Sequence, residues 1–368
     1  MIELDGSDGG GQLVRTALSL SALAGEPFRM RNVRGDRPTP GLKRQHRACV
    51  AAVAALTDAD VEGDAVGSET LRFDPGVAPG TAAPDGIAVD VGTAGSVVLV
   101  ADTLLPLAVR LDDPVTASLT GGTDVRWSPS ADYLRRVKLP LLRAVGLDAD
   151  VDVARRGFFP AGGGELDVDL RPSAIAPIEL GGRDASPGTD PTGDAAPDPE
   201  TRVSVHAVAA ADLDDGDAAD RLADAAAAEL DDRGLAAAPA ARAASVDAHS
   251  PGMSLTVAVG ASGGTDAAPE PTPRAGFVAY GGADDDPSSV PEATVDAAAE
   301  WAATDAPVDA HLGDQLVVWL ALAGGTVPVP RVTEHLRTNV DLVSAFGYDV
   351  SIEARGDGPP AVVAPTTR

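Results

Sequence analysis

The chain has 368 residues, 44% of them hydrophobic, which is enough for one large domain and a smaller one. Its 56 acidic residues outweigh 28 basic ones, giving a formal charge of −28, and only Lys43 and Lys138 among the basic residues are lysines. Cys49 is the only cysteine, which excludes an intramolecular disulfide and a cysteine-based zinc cluster, and no apolar run approaches the ~18 residues of a membrane span.

The opening, MIELDGSDGG, is neither basic nor apolar enough for a signal peptide, so a soluble, cytoplasmic protein with no membrane partner is expected. It continues as LDGSDGGGQLVRTA, a Gly-rich loop running directly into a helix. Exposed amides at a helix start attract anions, and glycine lets a phosphate approach the backbone. The plainer reading is a tight strand-to-helix turn, because GGG matches neither a Walker A nor a dinucleotide fingerprint. Arg15 lies one helical turn beyond Gln12 on the same face, and Asp8 stands where a carboxylate would hold magnesium beside phosphates.

Between Arg29 and Arg47 the charge reverses: Arg29, Arg31, Arg34, Arg37, Lys43, Arg44 and Arg47 are opposed only by Asp36. Pairing with the acidic surface competes with a phosphate cradle, for which the planar fork of arginine is suited. The overall acidity reads either as aversion to nucleic acid or as adaptation to a high-salt cytoplasm. The second is favoured, because dense carboxylates keep a surface hydrated where charge is screened within ångströms.

Three segments share one order: Gly-rich loop, apolar helix, short strand, second helix, strand. They begin at GGGQLVRTALSLSALAG, GTAGSVVLVADTLLPLAV and HLGDQLVVWLALAGG. The helices repeat apolar residues at helical spacing and the strands alternate. The expected fold class is therefore α/β with pseudo-threefold repeats. Between the second and third units, residues 183–200 are rich in Pro, Gly and Asp and read as a disordered loop. A strand (RVSVHAVAA), an Ala-rich helix near 217–233, a strand (GMSLTVAV), a polar loop at 261–274 and a helix near 291–303 follow. These predict a large domain of residues 1–180 and 305–368, with a small α/β domain inserted at 181–304.

A nucleophile or general base would come from His46, His206, His249, His311 or His335. His206 and His249 fall in the insert, where structural roles are expected. His311 opens HLGDQL with Asp314 and Gln315 on its face, and His335 lies in the first turns of the last helix. Side-chain chemistry alone does not choose between them.

Taken together, LDG…GGGQLVRTALSLS, RPTPGLKRQH, VGTAGSVVLVADTLLP, GGTD, RRGFFPAGGG, HLGDQLVVWLALAGG and EHLRTN resemble the RNA 3′-terminal phosphate cyclase family. The segments occur in family order and span nearly all of the expected large domain; the insert matches only in position and size. The resemblance implies three repeats of a two-helix, four-stranded unit with a smaller inserted domain. It implies that His335 is the nucleophile and that His311 stands where many members stack a tyrosine on the adenine of ATP. Asp314, Gln315, Pro129 and, more loosely, Phe277 correspond to nucleotide neighbours. Gln12, Arg15, Arg34, Arg37 and Gln45 correspond to phosphate contacts. Asp8 takes the place of a family glutamate that contacts magnesium or manganese, in a loop two residues shorter. A family glutamine is Asp102 here, and its role is not carried over.

The implied reaction is ATP-dependent conversion of an RNA 3′-phosphate to a 2′,3′-cyclic phosphate through histidinyl-AMP and an adenylylated RNA end. One alternative is a non-catalytic relative acting in ribosome assembly, which would lack the nucleophile. Another is an enolpyruvyl transferase, which would not need the HLGDQL face. No feature of the sequence specifies an oligomeric state.

Overall fold

A computed structural model describes residues 1–83, 85–181, 201–213, 216–236, 239–261, 274–356 and 358–366. The loop expected over 183–200 lies outside the described residues, as does most of the polar loop at 261–274.

The first repeat comprises β1 (Ile2–Asp5), α1 (Gly11–Ala24), β2 (Phe28–Arg31), α2 (Arg44–Thr57), β3 (Asp60–Glu62) and β4 (Leu71–Asp74). The second runs through β5 (Ile87–Asp90), α3 (Val97–Leu104), a 3₁₀ segment (Leu105–Arg110) and β6 (Val115–Gly121). It continues through α4 (Ala131–Tyr133), a π-turn (Leu134–Lys138), α5 (Leu139–Ala144), β7 (Ala149–Arg155) and β8 (Gly164–Leu170). The third begins with the two-residue β9 (Ile178–Glu179) and is then interrupted. Within the interruption come β10 (Thr201–Ala210), α6 (Ala218–Asp232), β11 (Ala240–Val246), β12 (Met253–Ala261), β13 (Arg274–Gly281) and α7 (Glu292–Ala302). The repeat resumes with α8 (Ala310–Ala323), β14 (Gly325–Pro328), α9 (Glu334–Ala345), β15 (Ser351–Arg355) and β16 (Gly358–Ala364).

Each repeat builds one four-stranded sheet of the same order: β1-β2-β4-β3, β5-β6-β8-β7 and β9-β14-β16-β15. The first two strands of each pair in parallel and the rest antiparallel. A parallel pair requires a crossover, and the first helix of each repeat supplies it. The interrupting segment forms a differently ordered sheet, β11-β10-β12-β13. The expected α/β class and three repeats are thus both present.

Apolar spacing explains the packing. Helix α1 buries Leu13, Val14, Ala17, Leu18 and Leu20, and ends at Gly25, whose φ of 68° is left-handed and unhindered only for glycine. Leu18, Leu104 and Trp319 belong to one core shared by the repeats, and Leu222, Leu255 and Trp301 to a second core under the β10–β13 sheet. The stretch SPSADYLRRVKLPLLRAVGL reads as one helix but widens into the π-turn, because Pro140 has no N–H to give to the preceding turn. Strand β11 was not expected from the sequence, because AARAASV carries no apolar alternation and lies almost wholly exposed at the sheet edge. Among the described residues, no helix is long and apolar enough to cross a membrane.

Candidate active site

The starts of α1, α2, α8 and α9 all face one cleft of about 1590 Å³. The start of a helix is the positive end of its dipole and favours a negative ligand; the α1 start carries no side-chain cap, whereas α8 and α9 are capped by Asp309 and Thr333. Gly10 and Gly11 bring the α1 start into the cleft wall. A Cβ on Gly11 would stand 2.0 Å from His46 Nε2, so only glycine fits. His46 is buried, and its Nδ1 accepts the Lys43 N–H at 3.0 Å, which leaves the ring hydrogen on Nε2. Burial first, then the charges of Arg15, Arg34 and Lys43, push its pKa down to about 3. His46 is a neutral cap of α2.

The cleft is lined by Arg15, Arg34, Arg37, Lys43 and Arg331. A sixth lining cation, Arg126, pairs with Asp285 at 3.4 Å, but among the described residues none of the first five has a carboxylate within the 4.0 Å ion-pair distance. In a chain with twice as many acidic as basic residues, that is a selective omission. Arg34 is held at φ 57°, near Asn32 at φ 52°, and such left-handed non-glycine residues persist only where the surroundings enforce them. Its guanidinium donates to the carbonyls of Thr39 at 2.9 Å and Gly41 at 2.8 Å. Burial lowers the pKa of Arg15 and of Arg34, although both remain cationic at neutral pH.

His335 stands in the first turn of α9, whose cap is Thr333. The Thr333 hydroxyl accepts from Leu336 N–H at 2.9 Å and donates to Asp314 Oδ1 at 2.5 Å. Asp314 Oδ2 lies 3.9 Å from His335 Nδ1. Burial, opposed by that hydroxyl and by His311, raises the Asp314 carboxyl to about 6. The His335 imidazole is held below its ordinary pKa by burial, then by Arg37, His311 and Arg15, and is therefore neutral near pH 7. Helices α1 and α9 are tied together by Thr16 donating to Asn339 Oδ1 at 3.2 Å and Gln12 reaching Thr338 at 3.4 Å.

His311, Asp314, Gln315, Pro129 and Phe277 line the same cleft as Gln12, Arg15, Arg34, Arg37, Gln45 and His335. Both histidines left open by side-chain chemistry are therefore in the cleft. Gln315 Oε1 is buried there without a hydrogen-bond partner among the described residues. Gln45 Oε1 accepts from Ser96 N–H at 3.3 Å, joining the starts of α2 and α3. Phe277 is 9% exposed and packs on Trp301, with ring centres 5.9 Å apart. Asp8 is exposed and is not in the cleft wall, although Gly10, two residues on, is. His206 pairs with Ser204 at 3.1 Å within β10, and the His249 ring packs on Gly163.

Sequence reasoning missed two supports. Asp309, buried, caps α8 by accepting from His311 and Leu312 N–H, and it also accepts from the Tyr133 hydroxyl and Gly276 N–H. One carboxylate thus fixes α8 to α4 and to β13. The Asp two residues before the His of HLGDQL was the available signal, since Asp is a preferred cap. Asp102 lines the cleft and pairs with the buried Lys138, which the π-turn turns inward. Nothing in local sequence links residues so far apart.

The sequence profile of the RNA 3′-terminal phosphate cyclase family matches residues 7–352. An RNA 3′-terminal phosphate cyclase of Halobacterium salinarum is 45% identical over 365 residues, 96% of this chain and 97% of the relative. One from Ectopseudomonas mendocina is 35% identical over 346 residues, 94% and 92% of the two chains. One from Saccharolobus islandicus is 46% identical over 186 residues, 49% of this chain and 54% of the relative.

Proposed function

The chain belongs to the RNA 3′-terminal phosphate cyclase family, and from that premise we propose that it is an ATP-dependent enzyme that converts an RNA 3′-phosphate to a 2′,3′-cyclic phosphate. The observation that carries this reading is a neutral histidine, His335, in a cleft where five of the six lining arginines and lysines have no ion-pair partner among the described residues.

The chemistry proceeds in three transfers. Asp314 faces Nδ1 of His335, so Nε2 is the free nitrogen; it attacks the α-phosphorus of ATP, the N–P bond forms, and the bond to pyrophosphate breaks. An oxygen of the RNA 3′-phosphate then displaces the imidazole, taking the AMP. Finally the neighbouring 2′-oxygen attacks the 3′-phosphorus, closes the ring and expels AMP, while its proton passes to solvent or a nearby base. The last transfer is intramolecular, where effective molarities reach ~10⁵ M or more. Arg15, Arg34 and Arg37 balance the charge on the phosphates, with Gln12 and Gln45 beside them, and fixed guanidinium groups do so without reorganising. The unpartnered Gln315 oxygen supports a nucleobase amino group as its complement, with His311 and Pro129 supplying stacking surfaces.

No group of three His, Cys, Asp or Glu side chains among the described residues is arranged to hold a metal. Magnesium or manganese needs no such cage, since it binds through one or two carboxylates, water and substrate phosphates. Asp8, exposed and outside the cleft wall, would have to reach in from two residues before Gly10 to be that carboxylate, and the bound ion would neutralise triphosphate charge. The division into a large domain of residues 1–180 and 305–368 and an insert at 181–304 belongs to the same reading, supported by the two separate cores.

Incubation with α-labelled ATP and magnesium should leave an acid-labile AMP on His335, located by mass spectrometry, and His335→Ala should remove it. Label on a folded His335→Ala variant would place the nucleophile elsewhere. No label on the folded wild-type protein would favour a non-catalytic binding role.

A further inference from the structure

Trp127 is 98% exposed, whereas Trp301 and Trp319 are buried. It lies in the wall of the cleft, two residues before Pro129. A lone exposed apolar side chain is ordinary in itself. The backbone beneath this one is not. Trp127 is held at φ 64°, the left-handed region that a bulky residue adopts only under constraint.

The constraint is visible on both sides. Val125 is buried, and its carbonyl accepts the Ser128 hydroxyl at 2.8 Å. The Tyr280 hydroxyl donates to the Ser128 carbonyl at 2.9 Å, and Arg126 reaches the Tyr280 carbonyl and Asp285, each at 3.4 Å. The loop is clamped around Trp127 while its indole is left in water. A backbone fixed in this way has little freedom left to lose when a flat ligand lands on the side chain it presents.

The geometry points to Trp127 as a stacking platform for a base within the last two nucleotides of the RNA whose 3′-phosphate enters the arginine-lined cleft. This rests on the function proposed above and adds a recognition element to it. Stacking on an aromatic ring is how single-stranded ends are commonly held, and it tolerates any base. The other large exposed apolar residues among those described are Met1, Val66, Val77 and Phe159, and none of them lines the cleft. A protein partner would call for a contiguous apolar patch. A single indole with Arg126 beside it suits a nucleobase and its phosphate instead.

The test uses the full chain, without ATP, and short RNA oligonucleotides ending in a 3′-phosphate. One is intact, and two carry an abasic ribose at the last or the penultimate position. By anisotropy, the wild-type protein should bind the intact RNA roughly tenfold or more tighter than one of the abasic RNAs. Trp127→Ala should lose that discrimination, Trp127→Phe should keep part of it, and the tryptophan emission quenched by RNA should be absent from both variants. Equal binding of all three RNAs by the wild-type protein overturns the proposal. So does undiminished discrimination by Trp127→Ala, or a self-associated wild-type protein that Trp127→Ala turns into a monomer in sedimentation. The two readings fail separately. Base-dependent binding without adenylylation sinks the chemistry and keeps the platform, and adenylylation of His335 without base dependence does the reverse.

Discussion

Asp314→Asn should make the protein more stable and less active. The carboxyl of Asp314, 8% exposed, is raised from 3.8 to about 6, chiefly by burial. A carboxyl with a raised folded-state pKa destabilises the fold once it ionises. The penalty is fully present above the folded pKa and fades as pH falls toward the unfolded value. At ~1.4 kcal/mol per unit, this shift costs about 3 kcal/mol near pH 7.5 and less than half of that near pH 4.5. Asparagine has the same shape, still accepts the Thr333 hydroxyl and carries no charge. Urea unfolding at high salt should therefore show the variant more stable by up to about 3 kcal/mol near pH 7.5, with the gap closing on acidification. Its adenylylation rate should fall roughly tenfold or more, because the negative charge 3.9 Å from Nδ1 favours the proton there and leaves Nε2 free. A variant less stable than the wild-type protein near pH 7.5, or a gap that does not narrow with falling pH, would refute the argument.

Gly11→Ala should cost about 1–3 kcal/mol in thermal unfolding, because its methyl would displace the His46 ring from its cap. A melting temperature within a degree of the wild-type value would show that the contact is soft. Lys138→Met should destabilise by about 3–5 kcal/mol in urea by leaving Asp102 without its cation, and adding Asp102→Leu should restore much of that loss. No recovery in the double variant would mean that the pair is not the cause. With a formal charge of −28, the melting temperature should rise steadily from ~0.1 M to above ~1 M KCl, as the screening length falls from ~10 Å to ~3 Å. A flat response in calorimetry would remove the salt-adaptation reading.

What the sequence made legible was local. Leu13, Val14, Ala17 and Leu18 recur at helical spacing, and the basic run from Arg29 to Arg47 contains Arg34, Arg37 and Lys43 of the cleft wall. The strand opening each repeat escaped the element-by-element reading, because four residues in β1 and β5 and two in β9 are too few to show alternation. Contacts across the chain were also out of reach. Thr16 with Asn339, Lys138 with Asp102, and Asp309 with Gly276 depend on where helices cross, which no local pattern encodes. The choice between His311 and His335 came from family resemblance, and the cleft, which holds both, explains why chemistry alone could not make it.

The interruption of the third repeat bears on how the chain assembles. In the first sheet Ile2 meets Phe28 and in the second Ile87 meets Ala117, but in the third Ile178 meets Gly325. Closing a long span costs entropy before any pairing rewards it, and such late contacts slow assembly. If residues 201–302 collapse first on their own core, the span shrinks to the distance between that core's two ends. On a ribosome, the first two sheets can close as they emerge, whereas β9 must wait for β14. The cleft needs α8 and α9 packed beside α1, so nucleotide-binding competence should arrive last, as a single late event.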